Sequence, residues 1–268
     1  MTVYATCAFC GDGHLDNFMR NGWDERAISN SMYFVASGRK DWRPEEFFES
    51  GHAEAHQFLD KFFHEMNFEA DGKVMLEIGC GVGRMTRTLA DMFCRVHATD
   101  LSWEMLTQAQ HWLAWRPNIL LTQGSGLALE QYAAESFDFV FCYIVFQHVP
   151  QVSIILEYIR ELGRVLKGGG LFKIQLLVGR PSPLPVLKGR LRRFLYRKFR
   201  LLGIPLLDHH RDLTPENIEH FETWLGTSVP EEQLRVTLLQ AQLEVTKWQG
   251  RHSVWIEGRK LSSMSARQ

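Results

Sequence analysis

The sequence predicts an α/β protein built on a mostly parallel sheet with helices on both faces. Three observations carry this reading. From residue 73 short apolar runs alternate with longer amphipathic ones, the first run leads into a glycine-rich turn, and the last two runs flank a tight turn. Residues 15 to 72 carry helical spacing instead, clearest in "PEEFFESGHAEAHQFLDKFFHEM", where Phe47, Phe48, Phe58, Leu59, Phe62 and Phe63 recur at helix intervals between charges.

The elements follow in order. "KVMLEIG" reads as a strand, "RMTRTLADMF" as a helix, "RVHATD" as a strand, and "SWEMLTQAQHWLAW" as a helix opened by Ser102, a good N-cap residue. "NILLTQG" is the third strand and "SFDFVFCYIVF" the fourth. "PQVSIILEYIRELGRVL" is a helix begun by Pro150 and stopped by "KGGG", after which "LFKIQLLV" is the fifth strand. "EEQLRVTLLQAQ" resumes a helix, and "LEVTKWQG" with "HSVWIEGRK" form a hairpin around Gly250. The organisation is therefore a helical cap or lid over 1–72, a core over 73–178, an insertion over 179–229, and a helix and hairpin over 230–268 that complete the core.

Composition narrows the function classes. The chain of 268 residues is 45% hydrophobic and 23% charged, the balance of a globular protein, with a formal net charge of −1 that gives the whole molecule no attraction to nucleic acid. No run reaches a membrane span and the N-terminus lacks a signal-peptide pattern, so a cytoplasmic setting is expected. Five cysteines in a chain of this size make no disulfide framework. Cys7 and Cys10, with His14 nearby, could begin a zinc site, but no second pair follows, and no metal is expected.

In "VMLEIGCGVGRMT" the strand runs into Gly79, Gly81 and Gly83, whose missing side chains let a ligand approach the backbone. The G-x-G-x-G spacing departs from the dinucleotide fingerprint, against a nicotinamide-dependent oxidoreductase, and no Lys-Ser/Thr pair follows as a P-loop requires. Glu77 would repel a pyrophosphate and attract a cationic or zwitterionic nucleoside. Asp100, ending the second strand, stands where an acid accepts hydrogen bonds from ribose hydroxyls; a helix cap is the alternative.

These residues, with "HATDLSWEML", "SFDFVFCYIVFQHVP" and "LGRVLKGGGLFKIQ" in the same order and spacing, resemble the class I S-adenosylmethionine-dependent methyltransferases over residues 73 to 178. The resemblance implies a Rossmann-like seven-stranded sheet and S-adenosyl-L-methionine as cofactor. It implies that Gly79, Cys80 and Gly81 face the methionine part, that Asp100 holds the ribose, and that Leu101 and Met105 flank adenine. Many members carry an acid after the third strand for the adenine amino group. Here "TQGSGLAL" leaves Ser125 or Gly126 at that place, so Ser125 or main chain would make the contact.

Methyl transfer from a sulfonium gains rate from alignment and water exclusion. His148 in "FQHVP" is the candidate base for a hydroxyl or amine, with capping of the next helix or packing over the cofactor as the alternatives. Gln147 and Tyr143 read as wall residues, and Cys80 and Cys142 as apolar fillers. By family analogy Tyr33, Phe34 and Trp42 are lid candidates; ordinary core aromatics would look the same.

Lys188, Arg190, Arg192, Arg193, Arg197, Lys198 and Arg200 are grouped without an acid, among Leu187, Leu191, Phe194, Leu195 and Leu202 at helical spacing. The stretch 186–202 fits a solvated lid helix, a collar for an anionic acceptor, or a peripheral membrane or nucleic-acid contact. Motifs of the nucleic-acid amino and cytosine-carbon methyltransferases are missing, which disfavours nucleic acid. The expected activity is methyl transfer to an O or N atom of a small molecule, glycan or lipid head group. The alternative is a noncatalytic cofactor-binding scaffold that reaches a membrane or partner through the basic stretch.

Overall fold

The computed structural model describes residues 15–179 and 227–262. Cys7, Cys10 and His14, and the basic stretch 186–202, lie outside the described residues.

The elements are α1 (Leu15–Val35), α2 (Pro44–Glu65), β1 (Val74–Ile78), α3 (Thr86–Met92), β2 (Arg95–Asp100), α4 (Trp103–Leu113), β3 (Ile119–Gln123), β4 (Phe137–Cys142), a 3-10 turn (Phe146–His148), α5 (Val152–Val165), β5 (Leu166–Leu177), α6 (Glu231–Gln240), β6 (Leu243–Gly250) and β7 (Ser253–Lys260). The seven strands lie in the order β3-β2-β1-β4-β5-β7-β6. Strands β1 to β5 pair in parallel, with Met75 of β1 opposite Val96 on one side and Phe139 on the other. β7 runs antiparallel between β5 and β6. The order reverses between β1 and β4, which opens a crevice at the carboxyl ends of those strands.

Strand alternation divides the core between the two faces. Phe139 and Phe141 of β4 join Met75, Val96 and Ala98 against Leu59, Phe62 and Phe63 of α2 and Leu89 of α3. Val140 and Cys142 of the same strand face the other way, with Leu76, Ile78 and Phe172, against Ile155, Ile159 and Leu162 of α5 and Leu234 and Leu238 of α6. The apolar stripe of α2 read from sequence is buried as expected except for Phe58, which is partly exposed and packs on Tyr143 and Trp255.

Several boundaries differ from the sequence reading. β4 stops at Cys142 because Ile144 takes a left-handed φ of 57°, which breaks the strand before "VFQH". "KGGG" does not form a separate stop: Leu166 leaves the helical region at the end of α5 and the glycines lie inside β5. α5 starts two residues after Pro150, with Gln151 in the N-cap position. The N-terminal section holds two helices, and α1 is kinked at Asn30, whose backbone is not helical. Of the insertion, the described end carries a bridge between Val229 and Val178 and a hydrogen bond from Thr227 to the Pro150 carbonyl.

Candidate functional site

The site begins where β1 ends. Gly79 and Gly81 take φ values of 73° and 54°, a region that side chains strongly disfavour. The turn is held from below by β2: the N–H groups of Gly79 and Cys80 both donate to the Thr99 carbonyl, at 2.7 and 3.1 Å. Space is as tight as conformation. A Cβ on Gly79 would fall 2.2 Å from Val145, and one on Gly81 would fall 2.8 Å from Val35.

Asp100, the last residue of β2, fastens this turn to the start of α4. Its Oδ2 accepts the Gly81 N–H at 2.9 Å and its Oδ1 accepts the Ser102 N–H at 2.9 Å. Burial pushes the carboxyl above its ordinary value, opposed by those same N–H donors. Ser102 caps α4 as the sequence suggests, its Oγ accepting from the Met105 N–H.

Glu77 lies inside β1, 5% exposed, with Oε2 accepting from Thr86 Oγ1 at 2.6 Å. Burial raises its pKa to about 7; the Thr86 hydrogen bond and the Arg84 charge pull the other way. Arg84, 4% exposed, donates to Ser50 Oγ at 3.1 Å and Glu54 Oε2 at 2.7 Å, both on α2. α2 can reach it because residue 51 is glycine: a Cβ there would lie 2.3 Å from the Arg84 carbonyl oxygen.

These groups face one open cavity. Of the residues singled out from sequence, Glu77, Gly79, Cys80, Gly81, Asp100, Leu101, Met105, Gly126, Tyr143, His148 and Phe34 line it. Cys80 and Cys142 are buried thiols whose pKa burial raises, and Tyr143 is pushed up to about 12 by burial and then by Glu54. His148, 8% exposed at the end of the 3-10 turn, meets Trp23 edge to face with ring centroids 5.3 Å apart.

Five sequence candidates do not line the cavity. Gly83 makes room for α4, since a Cβ there would lie 2.6 Å from Leu113 Cδ1. Ser125 is turned into its own loop, where Oγ accepts from the Leu127 N–H at 3.1 Å, and Gly124 and Gly126 form the wall instead. Trp42 donates to the Ala36 carbonyl and packs on Phe47, so it holds the α1–α2 connection. Tyr33 packs on Phe34 and under Lys40. Gln147 lies behind His148, with its amide nitrogen 3.2 Å from Nε2.

The sequence reading missed Arg84 and the part of α1 that closes the cavity, Met19, Trp23 and Val35. Arg84 had a signal, a lone cation directly after the glycine run. The α1 residues had none, because a tryptophan on an amphipathic helix reads the same whether it packs in a core or over a ligand.

Residues 76–174 match the family model described as a methyltransferase domain. Over 100 residues the chain is 34% identical to the ubiquinone biosynthesis O-methyltransferase of Pseudomonas fluorescens (strain Pf0-1), covering 37% of this chain and 42% of that protein. The chain thus spans about two-fifths of the length of the curated relatives it matches. Its fold is similar to Haemonchus contortus phosphoethanolamine N-methyltransferase 1, with a TM-score of 0.59 and 16% identity over 92% of this chain and 49% of that one. It is also similar to magnesium protoporphyrin IX methyltransferase from Synechocystis PCC 6803, with a TM-score of 0.57 and 17% identity over 91% of this chain and 99% of that one. At such identities the structural likeness speaks for the fold.

Proposed function

We propose, from the premise that residues 76–174 are a class I S-adenosylmethionine-dependent methyltransferase domain with S-adenosyl-L-methionine as its cofactor, that the chain methylates a hydroxyl of a small molecule, glycan or lipid head group. An amine is the second acceptor class. The observation that carries the reading is a single cavity lined by the Gly79–Gly81 turn, Asp100 and His148 together. The O-methyltransferase among the relatives favours oxygen over nitrogen.

The residues fit the cofactor. The turn has no room for side chains, and Asp100, fixed by two backbone donors, keeps lone pairs for ribose hydroxyls. Leu101, Met105, Gly124 and Gly126 offer an apolar slot for adenine. Glu77 would hold the ammonium group, and Arg84, three of whose five N–H groups remain beyond the Ser50 and Glu54 bonds, would take the α-carboxylate. The bound cofactor supplies an electrophilic methyl group on a sulfonium. The chain's own part is to align the acceptor, to exclude water with Met19, Trp23, Phe34 and Val35, and to take the acceptor's proton on His148.

Calorimetry with S-adenosylhomocysteine tests the cofactor site. Release of that product over a panel of phenols, sugar phosphates, phospholipid head groups and amines tests the activity. Failure of the nucleoside to bind folded protein would end the proposal. Asp100→Ala is expected to weaken S-adenosylhomocysteine binding by about 2 kcal/mol, through lost ribose partners and a freed Gly81 N–H; unchanged affinity would remove Asp100 from the site. Arg84→Met is expected to lose about tenfold in affinity for S-adenosylhomocysteine and nothing for 5′-methylthioadenosine, which lacks the carboxylate. Equal losses for both ligands would show that Arg84 only supports the fold.

A further inference from the structure

Helix α1 contributes Met19, Trp23, Phe34 and Val35 to the cavity lining and packs on the core through Met19 and Ala27, and beside this apolar contact it makes a polar attachment to α4. Asp24 Oδ1 accepts from Ser102 Oγ at 2.5 Å and from the Glu104 N–H at 3.1 Å. Further along α1, Ser31 Oγ donates to Gln108 Oε1 at 2.6 Å, and Gln108 Nε2 donates to the Ala27 carbonyl at 3.0 Å. Phe18 and Ile28 of the same helix point to solvent. The Asp24 carboxylate thus caps the N-terminus of α4 from a distant part of the chain, satisfying an N–H that the helix itself leaves open.

Asp24 stands beside both halves of the site. Its neighbour Trp23 meets His148, and the Arg26 guanidinium lies over Trp23 at 4.9 Å and near Phe34 at 5.8 Å. On the other side Ser102 is shared: its Oγ donates to Asp24 while its N–H donates to Asp100. The two carboxylates therefore face each other across one fully buried serine, and the Asp24 charge adds to the burial that already disfavours charge on Asp100.

We propose that Asp24 is a positioning residue that couples the ribose-binding end of the cavity to the acceptor wall, so that cofactor binding tightens α1 and sets Trp23 against His148 before the acceptor enters. The coupling rests on the reading of Asp100 as the ribose acid. Ribose hydroxyls donating to Asp100 spread its charge and relieve its repulsion of Asp24, which favours the docked position of α1. Ordered binding follows, with the cofactor first.

The test is amide hydrogen exchange of residues 17–29 in the full chain, with and without saturating S-adenosylhomocysteine, beside calorimetry. In the wild type the ligand slows exchange of α1 about tenfold. Asp24→Leu removes the attachment: the ligand binds within about fivefold of wild type, but α1 exchanges fast whether it is bound or not. Asp24→Asn keeps an acceptor oxygen and drops the charge; its α1 is protected already in the free protein and the ligand adds little, an outcome that a purely structural role does not give. Equal ligand-induced protection in all three proteins, or none in the wild type, overturns the coupling. Absence of a calorimetric signal in the wild type instead overturns the reading of the cofactor site.

Discussion

Replacing His148 by phenylalanine is expected to lower kcat about a hundredfold or more with any acceptor that the panel identifies, while S-adenosylhomocysteine affinity stays within about threefold of wild type. Phenylalanine keeps a flat ring against Trp23, so the wall survives and only the nitrogen is lost. Trp23, which packs on His148, offers no proton acceptor, whereas the imidazole can receive a proton. A base that acts in the transition state lowers kcat when it is removed; a wall residue raises KM. A rise in KM at unchanged kcat would reduce His148 to a packing residue.

Gln147 bears on the same test. Its amide nitrogen lies 3.2 Å from His148 Nε2, a contact that orients the ring and that no spacing rule distinguishes from an ordinary wall contact. Gln147→Leu should therefore act through His148, and His148→Phe should mask it.

How far the site could be read before its geometry was known follows from which interactions are local. The glycine turn, Glu77 and Asp100 were legible because the path from β1 to β2 brings them together through one βαβ unit, with a spacing set by a helix and two turns. The sheet was legible for the same reason, down to the C-terminal hairpin whose β7 lies between β5 and β6. Ser125 could not be placed from sequence because the chain offers the same serine to solvent, ligand or its own loop, and here its Oγ accepts from the Leu127 N–H two residues on. Trp42 could not be assigned between lid and core from sequence because an aromatic beside a helix start packs on whichever apolar surface is closest, here Phe47. Trp23, Asp24 and Arg84 were missed or unassigned because their partners His148, Ser102 and Glu54 are set by how helices dock, not by local pattern.

Glu77 gives the largest stability effect, and its sign can be worked out. Its folded pKa of about 7 stands above the ordinary 4.5, so the folded chain holds this proton more tightly than the unfolded chain does. Its contribution to stability is therefore fully present below about pH 4.5 and is lost as pH rises through about 7, a total on the order of 3 kcal/mol. Glu77→Gln keeps an oxygen for the Thr86 hydroxyl and removes the titration. Denaturant unfolding of the ligand-free protein should show the variant more stable than wild type by roughly 2–3 kcal/mol at pH 8, with the difference vanishing toward pH 4.5. Cofactor affinity should move the other way. In the wild type it falls as pH drops below about 7, because the ammonium and sulfonium charges need the carboxylate ionised. In the variant it is about tenfold weaker at pH 8 and insensitive to pH over this range. A variant no more stable than wild type at pH 8 would mean that Arg84 already compensates the buried charge. Glu77 would then be a structural partner of α3, and the cavity would owe its preference for a cation to Asp100 alone.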